Sequence, residues 1–139
     1  MIKSRFFVDT LFVQALLNRQ DQHHLQAVAF TPQLRSAAEV WVTEAVLVEI
    51  GNALSTINRA GAANFIRGCY ETPNIRVAIV DTDLLKRAVE LYGARLDKGW
   101  GLTDCISFVV MKDQGLIEAI TADVHFRQAG FTPVLLDNP

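Results

Sequence analysis

Four carboxylates stand where apolar runs end or where an apolar helical stripe meets its edge: Asp9, Glu49, Asp104 and Asp123. Asp9 follows the run FFV, and Asp123 follows ITA, so both lie just past β-rich segments. Glu49 is the only acid in AVLVEIGNAL. At helical spacing it falls about 90° from the centre of the Val46, Ile50, Ala53, Ile57 stripe, which puts it on the rim of a buried face. Asp104 follows Thr103 at the mouth of the most apolar helical segment of the chain. Each acid also has a local reading. Asp9, Asp81, Asp83 and Asp123 suit helix N-caps, Asp104 suits a first-turn acid under a Thr103 cap, and Glu49 suits a side chain reaching solvent. Taken together the four are more informative, because acids gathered at one sheet edge repel unless a cation sits between them. An all-oxygen donor set selects Mg²⁺ or Mn²⁺ over zinc or copper.

The elements that must position these acids follow from the pattern. Short β-rich runs at 5 to 8, 39 to 42, 75 to 80, 117 to 121 and 133 to 136 alternate with longer segments of helical period. Most runs are apolar on both faces, as strands of a parallel sheet covered by helices are. Helices are expected at 11 to 19, 21 to 35, 44 to 58 and 61 to 71 with a break at Gly61, about 83 to 95, and 103 to 114 closed by Gly115. The helix at 83 to 95 should bury Leu84, Ala88, Leu91 and Tyr92, and the helix at 103 to 114 should be central. The expected class is α/β, a central parallel sheet of about five strands flanked by helices. In such a sheet the carboxyl ends of the strands share one edge, where loops build the site.

The chain has 139 residues, half of them apolar, and a formal net charge of -2. That describes one domain, 1–139, able to bury a core without staples, and neither disordered nor collagen-like. The acidic balance argues against holding nucleic acid by bulk charge, but an enzyme that meets phosphates through metal ions needs only a local basic rim. Arg95, Lys98 and Trp100, in the loop before Asp104, fit contact with a backbone and a base, or a solvated loop. Cys69 and Cys105 form no CxxC and no Cys/His cluster, so neither a disulfide framework nor a zinc site is expected. Cys105 and Ser107 have no partner histidine placed by sequence, and neither a dinucleotide nor a P-loop glycine motif occurs. No apolar run reaches the roughly 18 residues of a membrane span, and Asp9, Gln14, Asn18 and Arg19 interrupt any leader. A cytoplasmic protein without membrane contact is expected.

The runs FFVDT at 6 to 10, TEAVLVE at 43 to 49, LTDCISF at 102 to 108 and ITADVHF at 120 to 126, in this order, resemble the PIN-domain ribonucleases. The likeness is greatest to the compact VapC-type toxins of prokaryotic toxin-antitoxin pairs, and it spans nearly the whole chain. It implies that Asp9, Glu49, Asp104 and Asp123 bind Mg²⁺ or Mn²⁺ for catalysis, with Thr10 and Thr121 as supporting hydroxyls and Asp97 as an accessory acid. It further implies endonucleolytic cleavage of RNA, a homodimer, and an antitoxin whose peptide blocks the acidic cleft. The chain departs from the family pattern at His125, which replaces a polar or acidic residue and reads as an exposed residue at a short helix start. Three alternatives remain: a catalytically dead binding module, a PIN nuclease that processes RNA without being a toxin, and a Mg²⁺-binding receiver-like signalling domain. The third expects paired acids after the first strand and a Lys after the last, whereas Asp9 stands alone and no Lys follows Lys112.

Overall fold

Phe6, Phe7 and Val8 are all buried, an arrangement that suits an interior strand covered on both faces. They belong to β1 (Arg5–Val8), the middle strand of a five-stranded sheet in the order β3-β2-β1-β4-β5, every pair parallel. The other strands are β2 (Glu39–Thr43), β3 (Ile75–Ala78), β4 (Glu118–Ile120) and β5 (Thr132–Pro133). The helices are α1 (Thr10–Leu17), α2 (His24–Ser36), α3 (Glu44–Ala53), α4 (Arg59–Glu71), α5 (Thr82–Ala94), α6 (Leu102–Asp113), α7 (Val124–Gln128) and α8 (Val134–Asp137). This computed structural model describes residues 4–137, and the outer ends of the expected 1–139 unit, 1–3 and 138–139, lie outside the described residues.

From β1 the chain moves outward to β2 and β3, then returns to lay β4 on the other flank of β1. The crevice between the carboxyl ends of β1 and β4 is therefore the point where strand order reverses, the usual ligand position in an open parallel sheet. α6 is central as its composition requires, burying Cys105, Ile106, Ser107, Phe108, Val110 and Met111. It closes at Gly115, whose φ of 66° lets its N–H reach Lys112 O while Leu116 N–H reaches Met111 O. That pair of bonds is the Schellman motif.

Several expected boundaries shift. The break between α3 and α4 falls at 54–58 rather than at Gly61, because Asn58 caps α4 by accepting from Gly61 N–H at 3.0 Å. The α3 stripe consequently ends early: Val46 and Ile50 are buried, but Ile57 lies past the helix and is 55% exposed. α2 starts at His24 rather than Asp21, whose carboxylate takes the His23 N–H in the preceding turn. β3 stops at Ala78 because Val80 N–H is drawn to Glu44 Oε1. The expected strand at 133 to 136 shrinks to Thr132–Pro133, and Leu135 donates its N–H to Thr121 O from within α8. On α5, Leu84 and Ala88 are buried, but Tyr92 faces solvent. The residue capping α6 is Gly101, not Thr103.

Candidate active site

Register brings two chain-distant segments level. Val8 sits opposite Ile120 across the β1–β4 pair, so Asp9 and Thr121 leave the sheet side by side. Thr121 Oγ1 donates to Asp9 Oδ2 at 2.9 Å and accepts from Asp123 N–H at 3.0 Å. One hydroxyl thus ties the two strand ends together. Asp9 is 4% exposed, and burial pushes its carboxyl up to about 7 despite hydrogen bonds from Thr121 and the Thr10 amide. The negative charges of Asp104 and Asp123 push the same way. Asp9 occupies the N-cap position of α1 yet makes no capping bond with its side chain. Thr10 supports Asp9 through its amide; its own hydroxyl is buried without a hydrogen-bond partner among the described residues.

Asp104 lies in the first turn of α6, where its Oδ2 accepts from Gly101 N–H at 3.1 Å and lies 3.2 Å from His125 Nδ1. A carboxylate only accepts, so this contact is a hydrogen bond in the tautomer that carries the proton on Nδ1. Burial raises the Asp104 carboxyl above its ordinary value, the Gly101 amide opposes that, Asp123 adds to it, and His125 relieves it. Asp123 does cap α7, accepting from His125 N–H at 2.9 Å, and it lies in the same cleft. Asp104, Asp123 and His125 each offer one ligand atom within 4.8 Å of the others. Glu49, exposed on α3, lines the same cleft. The cleft holds about 390 Å³, and no Lys or Arg is among its described lining residues.

Asp9, Glu49, Asp104 and Asp123 therefore line one cleft, Asp104 and Asp123 with ligand atoms close together, and Thr121 links Asp9 to Asp123. Asp97 does not join them: its carboxylate pairs with Arg95 at 3.0 and 3.1 Å and with Lys98 at 3.8 Å, outside the cleft lining. His125 was underrated by sequence reasoning, being half-buried and bonded to Asp104 rather than exposed. The usable signal was its spacing, since two residues beyond a cap carboxylate is the first helical turn, close to that carboxylate.

The profile of the PIN domain family matches residues 6–132. The chain belongs to the PIN domain family. This PIN chain is 30% identical over 139 residues to the 23S rRNA-specific endonuclease VapC20 of Mycobacterium tuberculosis, covering 92% of this chain and 96% of that protein. It is 27% identical over 122 residues to a VapC ribonuclease of Archaeoglobus fulgidus, covering 86% of this chain and 77% of that one. The crystal structure of VapC20, described as a sarcin-ricin loop cleaving toxin, superposes with a TM-score of 0.83 at 29% identity, covering 93% of this chain and 98% of that one. Rickettsia felis VapBC2, solved bound to a DNA fragment from its promoter, shares the fold at a TM-score of 0.60 and 12% identity, covering 93% and 96%. Five parallel strands flanked by helices are thus the PIN architecture, as the sequence motifs implied.

Proposed function

We propose that this PIN domain is a metal-dependent endoribonuclease and the toxin of a toxin-antitoxin pair, acting in the cytoplasm. One observation carries the reading: four carboxylates line a cleft at the β1–β4 switch point with no Lys or Arg among its described lining residues to balance them. The donor set fits a hard divalent cation, Mg²⁺ or Mn²⁺, since carboxylate oxygens predominate and the buried Asp9 holds a raised carboxyl that a cation would deprotonate. Asp9, Glu49, Asp104 and Asp123 would hold it. A divalent cation bound there supplies Lewis acidity to the phosphodiester and acidity to water. The chain's own residues do the positioning. Thr121 aims the Asp9 carboxylate, and the Gly101 amide and His125 pin Asp104 by hydrogen bonds. Ser107 and Cys105, the residues weighed as nucleophiles in the sequence, are not among the described residues lining the cleft, and Ser107 Oγ is buried and donates to Thr103 O.

The partners follow from the same reading. VapC20, the 29% identical neighbour, is described as a toxin, which supports an antitoxin partner for this chain. A homodimer is supported by α5, which exposes Leu85, Val89 and Tyr92 beside its buried Leu84 and Ala88. No helix among the described residues is long and apolar enough to cross a membrane.

Purified protein is expected to cut single-stranded RNA with Mg²⁺ or Mn²⁺ and to lose that activity in excess chelator. Asp104→Asn should lower the rate at least a hundredfold, about the size of a lost electrostatic contact to the reacting group. Expression of the chain alone should arrest growth, and the Asn variant at equal level should not. Full cleavage in chelator overturns the metal assignment, and equal growth arrest by both proteins overturns the toxin assignment.

A further inference from the structure

A second cavity, about 370 Å³, opens between α5, α6 and the segment that follows α7, and shares no lining residue with the acidic cleft. Its size lies in the ~300–1,000 Å³ range of small-ligand sites. Arg87, Arg95, Lys112 and Asp113 line it, and because Arg95 is paired with Asp97, Lys112 is the uncompensated cation among the described lining residues. Arg87 and Asp113 form a bidentate pair at 2.6 and 2.7 Å and so cancel. Lys112 is exposed and has no ion-pair partner among the described residues. The two hollows are adjacent along the chain at 99–101, with Trp100 lining this one and Gly99 and Gly101 the acidic one.

The wall of the cavity is aromatic. Phe108 meets Trp100 edge-on at 5.0 Å and stacks with Phe131 at 5.7 Å. Trp100 is 7% exposed, so it serves as a back wall rather than a contact surface, and its Nε1–H is satisfied by Gln128 Oε1 at 3.1 Å. That bond uses the oxygen of Gln128 and leaves its amide nitrogen to donate. The Arg95 guanidinium lies 5.0 Å from the Trp100 ring centroid and is held by Asp97 through two hydrogen bonds. Pinned in this way, it lines the cavity, and a guanidinium plane is a stacking platform for a base.

An RNA strand entering the cleft carries a charge on every nucleotide, and the protein around it has a net charge of -2. Nucleotides beside the scissile phosphate therefore need cations that the acidic cleft lacks. We propose that this cavity seats a nucleotide beyond the two that share the scissile phosphate, its base on Arg95 and the Phe131 wall, its phosphate at Lys112, with Gln128 donating to the base or sugar. The inference rests on the nuclease reading and adds a strand-binding subsite to it. It also gives Asp97 a role: a positioning residue that orients Arg95.

The test compares two substrates of the full chain with Mn²⁺, a dinucleoside monophosphate too short to reach the cavity and a ten-nucleotide single strand. Arg95→Ala should raise KM for the strand about tenfold, the size of one lost stacking contact, and leave kcat and the dinucleoside monophosphate unaffected. Lys112→Ala should also weaken the strand, and its salt slope should shrink by about 0.7, one phosphate contact. Equal losses on both substrates overturn the proposal, because they place the effect in the cleft. Unchanged strand kinetics in both variants overturn it too and leave the cavity to a protein side chain. A strand carrying 2-aminopurine reads occupancy without turnover. Quenching by wild type that is lost in Arg95→Ala upholds the subsite even where nothing is cleaved, whereas cleavage without quenching overturns the subsite and spares the nuclease reading.

Discussion

Asp9 joins the folding equilibrium to the pH of the solution. Its ordinary value is 3.8, and in the fold it titrates near 7, chiefly through burial. Between those values the folded chain holds a proton that the unfolded chain has lost, so stability falls as pH rises across that window. The contribution is fully present below the unfolded value and is lost once pH passes the folded one. The metal-free protein should therefore melt at a lower temperature at pH 8 than at pH 5, and Asp9→Asn should flatten that slope, as thermal melts at several pH values will read. A slope equally steep in the Asn variant would refute the assignment to Asp9. A cation that displaces the proton releases it to solution, so the rise in melting temperature on adding Mn²⁺ should grow between pH 6 and 8.

The elements depend on a few end residues more than on their apolar faces. Gly61 sits in the first turn of α4, where an added Cβ would lie 2.5 Å from Asn58 Nδ2. The Asn58 side chain occupies that space because it accepts from Gly61 N–H and donates to Leu17 O at 2.9 Å. Gly61→Ala should displace the cap and release the α1–α4 link, lowering stability by about 1–2 kcal/mol in denaturant titration. Gly68, with nothing within 4 Å of an added Cβ and a helical conformation, is the control. Its replacement by Ala should be neutral or stabilising by up to ~1 kcal/mol, since Ala is the better helix former. A loss at Gly68 as large as that at Gly61 would remove the cap as the explanation.

At the scale of the molecule, α5 has three flanks of different character. Leu84 and Ala88 pack into the core, and Arg87 and Leu91 border the second cavity. Leu85, Val89 and Tyr92 are 40%, 45% and 51% exposed on the remaining side. Three consecutive apolar positions at helical spacing form a face that a second copy would cover, provided the contact clears the roughly 1,000 Å² of a specific interface. Val89→Asp should give a monomer by light scattering with a melting temperature close to that of wild-type monomer, because the position is not in the core. A dimer that persists in the variant would move the interface away from α5.

The sequence by itself determined the starts of the first three strands, the parallel α/β class and which acids lie just past strand ends, because these rest on local facts. A run apolar on both faces is an interior strand, and an acid directly after it must sit at the strand end. β1, the burial of α6 and the Schellman turn at Gly115 were legible for that reason. The tertiary structure alone decided what depends on contacts between distant residues. The hydroxyl of Thr121 reaches Asp9 across 112 residues of chain. His125 becomes a partner of Asp104 only once α6 and α7 meet, and β3 stops short only because Glu44, from the start of α3, takes the Val80 amide. The loop at 95–100, which in sequence reads equally well as solvated chain, is divided by packing: Trp100 goes inward, Asp97 turns to Arg95, and the guanidinium lies over the indole. Periodicity carries no information about such pairings, since it records which side of an element is buried and not which residue lies across from it.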